Sequence, residues 1–109
     1  MANAFKNRTL RQVGTSPVDV GAVVAGSTEP TLIGMTLANV TSGVISVTVQ
    51  LINGSDTTHI VKDAPIPTGG SLIVVGGDQK IVMIPNDKVT ITSNTASSCD
   101  VIMSFLEIT

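Results

Sequence analysis

The sequence predicts an all-β fold, an antiparallel β-sandwich or jelly-roll-like barrel of about eight short strands. Three observations carry that expectation. Short runs of Val, Ile, Leu and Met alternate with Thr and Ser, as half-buried strands require. Glycine, proline and asparagine cut these runs apart at intervals of roughly ten residues, the punctuation of a sandwich or barrel. No stretch keeps a helical repeat for three turns.

Taken in order, residues 1–8 are polar and basic around Phe5 and read as an N-terminal arm or edge strand, with residues 9–109 forming one sandwich domain. Thr9–Val13 is followed by the turn Gly14-Thr15-Ser16-Pro17, where the proline biases Ser16 to extended geometry. Val18–Val20 and Ala22–Val24 flank Gly21, a bulge or bend, and residues 25–30 form a loop. Thr31–Val40 places Ile33, Met35 and Leu37 on one face. Asn39–Gly43 then turns into Ile45–Leu51, the clearest alternation in the chain, and two patterned strands joined so tightly predict an antiparallel hairpin.

Asn53-Gly54-Ser55-Asp56 is a strong turn signal, after which residues 57–62 are extended. Pro65 and Pro67 each lack a ladder donor, so residues 63–70 break the strand and are excluded from a sheet interior. Ser71–Val75, a continuous apolar run bounded by glycines, reads as a buried strand. Lys80–Ile84, the turn at 85–88 and Val89–Thr92 follow. The last strand, Val101–Ile108, is apolar on both faces, with Val101, Met103 and Phe105 on one and Ile102, Leu106 and Ile108 on the other. Such a strand is central in its sheet or covered by a partner.

Composition bounds the function. The 109 residues suffice for one core, and with only two aromatic residues, Phe5 and Phe105, that core is aliphatic. Charged residues make up 13% of the chain, about half the usual share, so the surface is mostly neutral and neighbours cover it at little ionic desolvation cost. The net charge of −2 offers no field for nucleic acid or membrane. The charge is uneven, however: Lys6, Arg8 and Arg11 stand near the N-terminus with no acidic residue among them. The lone Cys99 reads as a small buried hydrophobe, no apolar run is long enough to span a bilayer, and no signal peptide opens the chain, so cytoplasmic synthesis is expected.

Catalytic and ligand-binding residues are scarce. His59 is the single histidine and has no Cys or Glu at metal-ligand spacing, so neither a metal site nor a catalytic triad is predicted. Gly69-Gly70-Ser71 and Gly76-Gly77-Asp78 match no phosphate-binding loop and read as turns. Asp56, Asp63 and Asp78 are expected in loops and would bind calcium only if the fold converged them. The missing Trp and Tyr argue against glycan or single-stranded nucleic-acid binding. No cofactor and no enzymatic activity are predicted.

The runs Leu32–Thr41, Val61–Pro67, Gly76–Val82 and Phe105–Thr109 resemble small structural proteins of tailed bacteriophages, especially those infecting cyanobacteria and other aquatic bacteria. The likeness spans most of residues 9–109. It implies a virion component, assembled in the host cytoplasm as a homo-oligomer with the major capsid protein or other virion proteins as partners. The expected role is capsid decoration or cement, with a tail, neck or fibre-base component as the alternative and a receptor- or glycan-binding module behind both. Expected interface residues are Phe5, Lys6, Arg8 and Arg11 on the arm, with Phe105, Leu106 and Ile108 on the last strand.

Overall fold

A computed structural model describes residues 3–20, 29–76, 80–84 and 86–108. It contains β1 (Asn3–Val13), β2 (Val18–Asp19), β3 (Glu29–Asn39), β4 (Ile45–Asn53), β5 (Asp56–Ile66), β6 (Ser71–Val75), β7 (Ile81–Val82), β8 (Asp87–Ser93) and β9 (Cys99–Ile108). The predicted bend at Gly21 and strand Ala22–Val24 lie outside the described residues.

The pairings nest: β4 pairs β5, β3 pairs β6, β2 pairs β8 and β1 pairs β9, all antiparallel. This is one long ribbon whose tip is the β4–β5 hairpin. Its two-residue loop needs Gly54, whose φ of 61° belongs to the mirror-image turns that match strand twist. The ribbon is wrapped on itself, because β9 also pairs β3 and β8 also pairs β4. Two sheets result, one ordered β1-β9-β3-β6 with β7 beside β3, the other β2-β8-β4-β5. The predicted antiparallel β-sandwich is therefore the observed architecture.

The hairpin expected between Thr31–Val40 and Ile45–Leu51 is not formed. β3 and β4 belong to opposite sheets, and residues 40–44 cross between them. β4 buries alternate residues, Ile45, Val47 and Val49, and β3 buries Leu32, Met35 and Leu37 as the facing wall of one core; a bulge between Leu32 and Gly34 takes Ile33, expected on the face of Met35 and Leu37, out of that buried row. The strand expected to end at Lys62 continues through Asp63 and Pro65 to Ile66. It can do so because β5 is an edge, where a proline costs no ladder bond, and Asp63, with φ 52°, sits in a bulge. Ser71–Val75 is likewise an edge strand rather than a buried one, with Val75 inside and Ile73 in solvent.

Phe105 is the one aromatic side chain in an otherwise aliphatic and thioether core. Two polar clusters pin the crossovers. Asn39, buried at the end of β3, donates to the carbonyls of Gly43 at 2.7 Å and Ile66 at 2.9 Å, and its Oδ1 accepts from Thr41 N and Oγ1, each at 2.8 Å. At the β8–β9 connection the buried Ser93 and Ser98 hydroxyls bond at 2.6 Å, and Ser98 Oγ donates to Thr95 O at 2.7 Å. Among the described residues no buried side-chain polar atom lacks a partner.

Candidate assembly surface

Strand register decides which side chains share a face, since residues directly opposite in an antiparallel pair point the same way. On β9, Val101, Met103 and Phe105 are buried, so Ile102, Ser104 and Leu106 point outward. Their partners extend two rows across the sheet. One row runs Phe5, Leu106, Thr31, Val82 across β1, β9, β3 and β7. The other runs Thr9, Ile102, Thr36, Ile73 across β1, β9, β3 and β6. Between them lie Asn7, Ser104 and, at a bulge in β3, Ile33 and Gly34.

Among the described residues no charged side chain stands in either row, and the exposed Lys80 precedes β7 at the margin between them. Phe5 is 78% exposed, Ile73 69%, Val82 67% and Ile102 56%. Isolated surface aliphatics are ordinary, but here several share one sheet face with only neutral polar residues in their rows, a composition suited to an interaction surface.

The outward face of the four-stranded sheet is built differently. Apart from Ile52, which is flanked by Thr57 and Lys88, its side chains are mostly polar and bond to one another across the strands. Thr90 Oγ1 donates to Gln50 Oε1 at 3.4 Å, and Gln50 Nε2 donates to His59 Nε2 at 3.0 Å. Asp63 N donates to Thr48 Oγ1 at 3.1 Å, and Lys88 Nζ lies 3.6 Å from Asp19 Oδ1. A face whose polar groups satisfy each other and meet water needs no partner. The sandwich thus has one side of mutually bonded polar groups and one side with exposed apolar groups.

The residues singled out from the sequence are distributed as follows. Phe5 and Leu106 are cross-strand partners on the apolar field. Lys6 and Arg8 oppose Phe105 and Met103, so they point to the core side of β1. They remain exposed, because β2 has only two residues and leaves that margin uncovered. The Arg8 guanidinium lies over the Phe105 ring, 5.4 Å from its centroid, a cation–π contact. Arg11 is exposed at a bulge where Gln12, with φ 56°, donates its N–H to Asp100 Oδ1 at 2.9 Å. Phe105 itself is 5% exposed and belongs to the core. Ile108 pairs with Asn3 and with Glu29 at the end of β9, and its side chain lies outside the described set.

Ile33, Ile73 and Val82 are the surface residues that sequence reasoning missed. Ile73 and Val82 sit in unbroken apolar runs, where nothing in the pattern separates an edge strand from a buried one.

The remaining chemistry is sparse. His59 is exposed and engaged with Gln50. Asp56 and Asp63 lie within β5 rather than in loops, Asp78 is outside the described residues, and among those described no three metal-ligating side chains come together. Cys99 is fully buried, and that burial, with the Asp100 charge second, pushes its thiol up to about 11. A raised folded-state pKa means the thiol's contribution to stability is whole below its unfolded value near 9 and is lost as pH climbs toward 11. Two results are expected: unfolding midpoints fall over that alkaline window and not in a Cys99→Ala chain, and native labelling by iodoacetamide at pH 8 is at least ~100-fold slower than in denaturant.

No protein-family model matches the sequence, and no curated protein does either. Solved structures do. The fold is similar to a subunit of Bacillus endospore appendages, a family of disulfide-linked pili, with a TM-score of 0.56 at 13% identity over 98% of this chain and 88% of that one. It is similar to a chain of the infectious bursal disease virus Gx strain, with a TM-score of 0.50 at 11% identity over 97% of this chain. A chain of the infectious bursal disease virus VP2 subviral particle matches with a TM-score of 0.49 at 16% identity over 96% of this chain. This chain spans 31% of the first viral chain and 32% of the second. At these identities the first two likenesses bear on the fold alone.

Proposed function

We propose that this chain is a non-enzymatic structural subunit of a tailed-phage virion, a decoration or cement protein carried in many copies on the major capsid lattice. The edge strand β1, which includes most of the predicted arm, is part of the sandwich and supplies its clamping edge, and assembly takes place in the host cytoplasm. The observation that carries the reading is the set of exposed apolar side chains, Phe5, Ile73, Val82 and Ile102, spread across β1, β6, β7 and β9 among neutral polar ones, opposite a largely polar face whose groups bond to one another. The wrapped ribbon is a jelly roll in its connectivity, a rigid plate suited to lying on a shell. The sequence resemblance to phage structural proteins and the fold shared with a chain of infectious bursal disease virus support the same setting. Each copy makes a modest contact, and many copies sum through multivalency.

Ile73→Asp/Ile102→Asp tests the reading. Both positions are exposed, so the unfolding midpoint should stay within a few degrees, corresponding to about 0.5 kcal/mol per substitution. Binding to particles lacking the protein should fall at least ~100-fold, since two unpaired carboxylates would be buried at the contact. Unchanged binding would contradict the reading.

The second reading is a tail, neck or fibre-base component. Long edges on opposite flanks, β1 and β5, favour it, because they suit a ring or tube. The ratio to the major capsid protein in purified virions separates the two: hundreds of copies place it on the head or a long tail, and roughly a dozen, as one closed ring supplies, place it at the neck or baseplate.

A further inference from the structure

We infer that copies of this chain join head to tail by strand addition, β1 of one copy along β5 of the next. The inference rests on the reading of the chain as an assembly subunit and names the joint between copies. Among the described residues five strands border the two sheets: β1, β6, the two-residue β7, β2 and β5. β2 has two residues and β6 five, too short to template much pairing, whereas β1 and β5 each have eleven. Natural edges are usually blunted by brevity, bulges or proline. From Asn3 to Leu10, β1 has none of these, with eight consecutive pairs with β9, no bulge, no proline and no glycine; its guard is charge, Lys6 and Arg8 on its core side, which bars a basic edge and admits an acidic one. A row of backbone N–H and C=O groups faces outward there without a strand beside it among the described residues.

Charge selects the partner edge. Lys6, Arg8 and Arg11 have no acidic residue among them on β1. Two copies of β1 paired antiparallel about Asn7 would set Lys6 against the other copy's Arg8, a like-charge opposition that destabilises sheets. β5 carries Asp56 and Asp63 against one lysine, Lys62, beside Asp63, and its stretch Asp56–His59, with Asp56 at its end and no lysine, pairs with β4 without a bulge. One antiparallel register sets Arg8 opposite Asp56 and Lys6 opposite Thr58. In their own sheets all four residues lie on the core side: Lys6 and Arg8 oppose Phe105 and Met103, and Thr58 and Asp56 oppose Leu51 and Asn53 at the end of β4's inward row. β1 shares its flank with β2, and β5 lies beside β6 on the other flank, so the joint repeats from copy to copy.

Sedimentation velocity on the full chain tests this. Wild type should form concentration-dependent assemblies that weaken between about 50 and 500 mM salt. Lys6→Glu/Arg8→Glu and Asp56→Lys/Thr58→Lys should each sediment as single chains with folded circular dichroism, and the chain carrying all four substitutions should reassemble. A monomeric wild type, or an Asp56→Lys/Thr58→Lys chain that assembles like wild type, would overturn the joint. Amide exchange on wild type supplies an independent reading: backbone protection in 3–10 and 56–59 should rise with concentration, and its absence would also overturn the joint. If the joint fails while Ile73→Asp/Ile102→Asp still abolishes particle binding, the virion reading stands without it.

Discussion

Phe105→Ala should destabilise the fold by about 3–5 kcal/mol and lower the thermal midpoint by more than about 12 °C. The ring is 5% exposed and is the one aromatic side chain in the core, so truncation leaves a large void among aliphatic neighbours that are already close-packed. Arg8 adds to the loss, because its guanidinium lies over that ring and would be left above a cavity. Phe5→Ala provides the contrast: at 78% exposure its loss should change stability by less than about 0.5 kcal/mol and weaken particle binding instead. Urea or thermal unfolding of the two variants separates a core aromatic from a contact aromatic. A stable Phe105→Ala chain with impaired binding would reverse their roles.

Asn39→Ala should cost about 3 kcal/mol, more than most single hydrogen-bond deletions. One amide holds three elements: the end of β3, the crossover at Thr41 and Gly43, and the Ile66 carbonyl at the end of β5. Removing it strands a buried carbonyl and frees the crossover that carries the chain from one sheet to the other. Asn39→Asp keeps the acceptor for Thr41 but loses both donated bonds, so it should be nearly as damaging. Denaturant unfolding at neutral pH reads both variants, and a loss below about 1 kcal/mol would show that the crossover holds without its amide.

The strands were legible because alternation is a local property. Ile45, Val47 and Val49 read as one face from the sequence alone and are fully buried in the structure. Which strands pair was less legible, because pairing depends on contacts distant in sequence. The pattern around Asn39–Gly43 fits a hairpin turn and a sheet-to-sheet crossover equally well, and only burial of both apolar faces against each other decides for the crossover.

The same limit governs the surface. Alternation along β9 separates Val101, Met103 and Phe105 from Ile102 and Leu106, but two apolar faces carry no sign of which one meets the core. That is why Phe105 grouped with contact residues from the sequence and lies inside in the structure. Lys6 and Arg8 illustrate the converse: charge alone puts them in solvent, yet register places them on the core side of β1, over a margin that the two-residue β2 leaves open.

The central claim is that the apolar side of the sandwich exists to be covered, and cryo-electron microscopy of purified particles tests it most directly. The account predicts the sandwich at regularly repeated positions, with Phe5, Ile73, Val82 and Ile102 against neighbouring protein and the Gln50–His59–Thr90 face toward water. Particles that lack the chain, or that carry it with the apolar rows toward solvent and the polar face buried, would contradict it.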